Sequence, residues 1–131
     1  MGPVTYLLDT CAFVWLCAEP ERLPQTTRAI IDAPESELLL SDVSVLEITL
    51  KWRAGKIHLP DPPRLWIERQ LSAWRLDCRA LRREDIHRAG ELPEHHRDPF
   101  DRLLVAVATN CGATILTPDN AIRRYTVGVR W

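Results

Sequence analysis

Asp9 closes the run YLLD and leads into TCAFVWL, while Glu47 lies inside VSVLEITL, so both carboxylates are set in apolar sequence. A carboxylate is costly to bury there unless something compensates its charge. Asp98 and Asp101 bracket the motif DPFD, and Asp119 follows Thr117-Pro118. Five acids gathered without cations would repel one another and drive protons onto each other, a conflict that a shared divalent ion resolves. Hard oxygen ligands select Mg2+ or Mn2+ over softer metals. The chemistry that follows is phosphodiester hydrolysis, in which a metal lowers the pKa of a bound water and offsets charge growing on the phosphate. No Ser or Cys is paired with a His at a recognisable nucleophile turn, so no protein nucleophile is signalled.

Each acid also has an ordinary explanation. Asp and Glu are favoured in the first turn of helices, where they accept free backbone N–H groups. Asp98 before Pro99 fits an N-cap, Asp9 could cap the first helix, and Asp119 could shape a turn. Ser44-Val45-Leu46-Glu47 fits a capping box, and Glu47 could pair with Lys51 one turn later. Taken singly, each residue favours the capping explanation. The set of acids favours a site.

Such a set needs elements that bring distant segments together. Val4 to Leu8 reads as a strand ending at Asp9, with a helix over Cys11 to Cys17. Leu38 to Leu40 repeats the unit, followed by a helix over Val43 to Arg53 that carries Glu47 about one turn in. Gly55 and Pro60-Asp61-Pro62-Pro63 stop that helix and open the next, Arg64 to Trp74. A short strand within Arg75 to Leu81, a helix over Glu84 to Leu92 and a polar loop, PEHHRD, come next. A helix over Pro99 to Cys111, stopped by Gly112, then leads into a strand over Ala113 to Thr117, with a last strand at Val127 to Val129. Alternating strands and helices imply an α/β fold with a mostly parallel central sheet of four to five strands covered on both faces. In that fold the residues just beyond the strand ends, and the first turns of the returning helices, share one edge.

The 131 residues, 46% hydrophobic, suit a single domain over 1–131. A formal net charge of -1 excludes a globally basic nucleic-acid binder, so any such binding is local. Of 17 basic residues only Lys51 and Lys56 are lysine; the arginines are spread along the chain, which favours coding bias over a phosphate-binding run. Cys11, Cys17, Cys78 and Cys111 form no C-x-x-C pair and read as buried thiols of a cytosolic protein. The absence of a basic leader and of any run of ~18 apolar residues predicts a soluble cytoplasmic chain, with no membrane segment. His58, His87, His95 and His96 read as solvated, since no zinc-ligand spacing joins them to the cysteines.

Four segments, LLDTCAFVW, LLLSDVSVLEI, DPFDRLLVAVA and ATILTPDNAI, in this order and spacing resemble the PIN-domain family, and more narrowly its VapC-type toxins of type II toxin–antitoxin pairs. The resemblance covers essentially the whole chain and implies a three-layer α/β/α sandwich. It implies that Asp9, Glu47, Asp101 and Asp119 are the catalytic, metal-binding acids, with Asp98 accessory and Thr10, Ser44, Thr117 and Asn120 as polar neighbours that orient them. It implies endoribonuclease activity with Mg2+ or Mn2+, inhibition of translation, homodimerisation, and neutralisation by a cognate VapB-like antitoxin. An antitoxin segment in an apolar groove near the acids is sensible electrostatically. Trp15 and Trp52, ahead of Trp66 and Trp74, are candidates to line such a groove, with core packing the alternative. Arg102 could contact an RNA phosphate or balance charge.

Two other readings compete. A receiver-like Mg2+-binding regulatory domain also gathers acids at strand ends, but it requires a lysine near a late strand, and both lysines fall mid-chain. A catalytically silent PIN domain serving as an RNA- or protein-binding module would keep the acids only as caps. The presence of all four family acids argues against that loss.

Overall fold

The computed structural model describes residues 4–131. Five strands, β1 (Val4–Leu8), β2 (Ser36–Ser41), β3 (Asp77–Arg79), β4 (Thr114–Leu116) and β5 (Val129–Arg130), form one sheet in the order β3-β2-β1-β4-β5 with every pairing parallel. Six helices accompany it: α1 (Thr10–Ala18), α2 (Gln25–Asp32), α3 (Asp42–Arg53), α4 (Pro63–Ala73), α5 (Arg83–Glu91) and α6 (Pro99–Cys111). The α/β class and the central parallel sheet match the expectation, and the three-layer arrangement follows from how the strands divide their side chains.

Successive residues on a strand face opposite ways. Leu8 of β1, Leu38 and Leu40 of β2 and Leu116 of β4 point into one apolar cluster with Phe13, Leu16, Ile31, Ile48, Trp66 and Leu71. Leu7 and Ile115 point into a second cluster with Val43, Leu104, Val105, Val107 and Ala108 of the opposite layer. Leu7 and Leu8 are both fully buried, each worth about 1.5–3 kcal/mol, so β1 is fixed in register from both faces.

The helix termini are set locally. α6 starts at Asp98, whose Oδ1 accepts the Phe100 N–H at 2.8 Å, with Pro99 in the first turn, and ends at Gly112 in the left-handed conformation, φ 69°. α3 is capped by Ser41, whose hydroxyl oxygen accepts the Val43 N–H at 3.0 Å, so Ser44 lies inside the helix and the expected Ser44–Glu47 capping box does not form. The thiols are less buried than the sequence suggests. Cys11, Cys17 and Cys111 are half-buried, and Cys78, on the edge strand β3, is exposed. No helix among the described residues is long and apolar enough to cross a membrane.

Candidate metal centre

Residues just past the carboxyl ends of β1 and β4, the start of α1, the first turn of α6, and the middle of α3 with the turn that follows it enclose a cavity of about 510 Å³, and Asp9, Glu47, Asp98, Asp101 and Asp119 all line it. Residues up to 110 positions apart in the chain thus reach one pocket because a parallel sheet collects its strand ends on one edge. The Asp9 N–H donates to the Leu116 carbonyl at 3.1 Å, tying the ends of β1 and β4 together.

Asp9 both caps α1 and faces the pocket. Its Oδ1 accepts the Ala12 N–H at 2.7 Å, and its Oδ2 accepts the hydroxyl proton of buried Thr117. The same Thr117 oxygen accepts the Asp119 N–H at 3.0 Å, so one hydroxyl fixes both acids. Asp9 is 4% exposed, and burial pushes its pKa up to about 6; the Thr117 and Ala12 hydrogen bonds hold it back, and the charges of Asp119 and Glu47 add to the rise. Burial likewise raises Asp101 to about 7, aided by Asp98 and opposed by His96.

Glu47 is also buried. Its Oε2 takes a 2.6 Å contact from Lys51 Nζ, while its Oε1 has no hydrogen-bond partner. Another fully buried carboxylate, Asp85, shows what a structural acid looks like: Asn110 Nδ2 donates to one oxygen at 2.8 Å and the Arg82 N–H to the other at 2.9 Å. Glu47 lacks that completeness. Next to it, the Thr10 hydroxyl donates to Ser44 Oγ at 2.9 Å, joining α1 to α3 beneath the pocket.

His96, expected in solvent, is part of the centre. Its Nδ1 accepts the Asp98 N–H at 3.0 Å, which leaves the proton of the neutral ring on Nε2. Nε2 lies 2.9 Å from Asp119 Oδ2 and 3.0 Å from Asp101 Oδ2. Partial burial lowers the imidazole pKa, but the hydrogen bond to Asp119 and the charges of Asp101, Asp119 and Asp98 outweigh it and the net shift is upward. Asp119 moves the other way, since His96 and the N–H groups of Ala121 and Ile122 outweigh its burial. The signal available in the sequence was position: His96 stands two residues before the N-cap of the helix that carries Asp101.

Three other assignments change. Arg102 is anchored on the backbone. Its guanidinium donates to the carbonyls of Ala89, Leu92 and Pro93 at 2.8, 3.0 and 2.9 Å and to the Tyr125 hydroxyl at 3.3 Å, clamping the loop that carries His96. Four of its five N–H donors are thereby engaged, which favours the charge-balancing, structural alternative over the phosphate contact. Asn120 is exposed and lines no part of the cavity. Trp15 and Trp52 do not share a groove: Trp15 lines the acid pocket, packed against Trp131 and under Arg22, whereas Trp52 lines a separate depression with Val45, Thr49, Pro62 and Ile67. Trp66 is in the core and Trp74 packs against it.

The donors fit a divalent cation. A buried carboxylate oxygen without a partner, two carboxyls whose pKa values are raised by crowding and burial, and ligating atoms of His96, Asp101 and Asp119 within 4.8 Å of one another are the features a cation would satisfy.

Known proteins place this architecture. Ribonuclease VapC22 of Mycobacterium tuberculosis is 29% identical over 122 residues, spanning 92% of each chain. Among solved structures, VapBC2 from Rickettsia felis bound to a promoter DNA fragment superposes with a TM-score of 0.73 at 18% identity, covering 97% of this chain and 98% of that one. VapBC from Salmonella typhimurium bound to DNA gives 0.64 at 16% identity, covering 97% of both. The PIN domain profile matches residues 6–128, which include every acid of the pocket, and the chain therefore belongs to the PIN domain family.

Proposed function

We propose that this chain is a divalent-metal-dependent endoribonuclease, the toxin of a toxin–antitoxin pair, folded as one PIN domain over residues 1–131. The observation that carries the reading is the convergence of five carboxylates on one cavity with a buried Glu47 oxygen left bare. The relative named Ribonuclease VapC22 and the VapBC complexes of the same fold support the activity and a VapB-like antitoxin partner.

In this reading Asp9, Glu47, Asp101 and Asp119 hold Mg2+ or Mn2+. When bound, the cation supplies a lowered water pKa and offsets negative charge at the scissile phosphate of RNA. Thr117 keeps Asp9 and Asp119 in fixed relation, and Asp98 orients His96 through its backbone N–H. Thr10 and Ser44 brace the helices behind the acids. A cytoplasmic homodimer that blocks growth by cutting RNA until the antitoxin covers the pocket completes the proposal.

The test is direct. The purified chain, freed of any partner, cleaves single-stranded RNA with Mn2+ and stops with chelator, and Asp9→Asn abolishes cleavage. Cleavage that persists in Asp9→Asn removes the mechanism, and RNA binding without metal-dependent cleavage favours the silent module.

A further inference from the structure

The chain has two lysines among 17 basic residues, and both line the carboxylate cavity. α3 brings them there. Lys51 lies one turn after Glu47, and the helix ends around Gly55, whose φ of 73° is left-handed. The Gly55 N–H donates to the Trp52 carbonyl at 3.0 Å and the Lys56 N–H to the Lys51 carbonyl at 2.8 Å, the paired bonds of a Schellman ending. That turn folds Lys56 back toward Lys51, so both ammonium stems stand on the wall of the acid pocket.

The Lys51–Glu47 pair is uneven. The Glu47 side chain is 7% exposed and Lys51 48%, so a half-solvated ammonium covers one oxygen of a buried carboxylate. The ammonium can leave into solvent, but the buried carboxylate then needs another cation in its place. The other Glu47 oxygen is bare, and four further acids line the same pocket. A pocket of this sign repels a polyanion unless positive groups stand at its rim, and the flexible stem of lysine suits a point contact with phosphate.

We propose that Lys51 is a ligand for an RNA backbone phosphate, parked on Glu47 until a divalent cation claims that carboxylate, and that Lys56 completes the phosphate contact. The phosphate role rests on the ribonuclease reading above. The parking of Lys51 does not.

The experiment uses the full chain with Mn2+ and a single-stranded RNA oligonucleotide. Calorimetric titration with Mn2+ shows several-fold tighter binding to Lys51→Met than to wild type, because Glu47 no longer shares its charge, and no change for Lys56→Met. In cleavage assays each substitution raises KM about tenfold with little change in kcat. Each also flattens the log–log salt dependence by about 0.7, the value for one phosphate contact to a single strand. Lys51→Arg restores KM. The proposal is overturned if Lys51→Met leaves KM and salt slope at wild-type values, or if its Mn2+ affinity is equal or weaker, which would make Lys51 a strut for Glu47. A wild type that binds Mn2+ but cuts no RNA sinks the ribonuclease reading and the phosphate role with it, while the Mn2+ titration still decides the exchange at Glu47.

Discussion

Nε2 of His96 lies 2.9 Å from Oδ2 of Asp119, a residue 23 positions further along the chain. The imidazole spans from there to Asp101, so the late turn and the α6 acid are linked by a side chain from an irregular loop. His96→Ala removes that link and is expected to lower Mn2+ affinity or cleavage by about 10- to 100-fold, as for other groups that orient metal ligands. Metal titration alongside kinetics checks it; wild-type values for both would show that the acids hold their places unaided.

The loop itself depends on Arg102. Its bonds go to three backbone carbonyls and a phenol, and a lysine cannot reproduce that fork. Arg102→Ala and Arg102→Lys should both lose about 1–3 kcal/mol in urea melts. The salt dependence of RNA binding should stay that of wild type, because four of the guanidinium N–H donors already have partners within the chain.

Stability should depend on pH with an uncommon sign. Asp9 and Asp101 have folded pKa values of about 6 and about 7, raised from 3.8. Folding therefore favours their protonated forms, so their contribution is full below pH 3.8 and is lost as pH rises through 6 to 7. Asp9 alone disfavours the folded chain at neutral pH by on the order of 3 kcal/mol. Thermal melts in chelator should show a lower Tm at pH 8 than at pH 5, and Mn2+ should erase the difference. A Tm that rises with pH in chelator would contradict this picture of the pocket.

Removing the charge while keeping the shape should separate folding from chemistry. Asp9→Asn keeps an oxygen for the Ala12 N–H, so the metal-free protein should melt at the wild-type temperature or above. Cleavage should fall at least about a hundredfold, since the proposed metal centre loses one of its acids. Asp9→Ala loses the cap as well, and should cost about 1 kcal/mol more than Asp9→Asn.

The sheet was legible because its strands are buried on both faces: Leu7-Leu8, Leu38-Leu39-Leu40 and Ile115-Leu116 are continuous apolar runs. The acids were legible because Asp9 and Glu47 stand in apolar sequence. α2 was not read at all, and the reason is local: Pro24 precedes it with no side-chain cap, and Thr26-Thr27 opens it with β-branched residues that favour helices weakly. Ser44 imitates a capping box because serine followed by Glu47 at the third position satisfies the pattern one turn late. His96 and Arg102 escaped for a shared reason. Their partners, carboxylates and carbonyls from other segments, leave no periodicity in the chain, and a polar loop hides the difference between a solvated side chain and an anchored one.

The division of oxygens within the pocket bears on how relatives of this chain should be compared. Asp9, Asp98 and Asp119 each commit one side-chain oxygen to a backbone N–H of a helix start or turn, so a lineage without catalysis would still need a capping side chain, Asp or Asn, at each of them in order to fold. Glu47 and Asp101 accept no backbone hydrogen bond among the described residues, and nothing in the architecture compels an acid at either place. Across descendants of a common ancestor, those two positions are therefore where loss of the proposed activity would first be written.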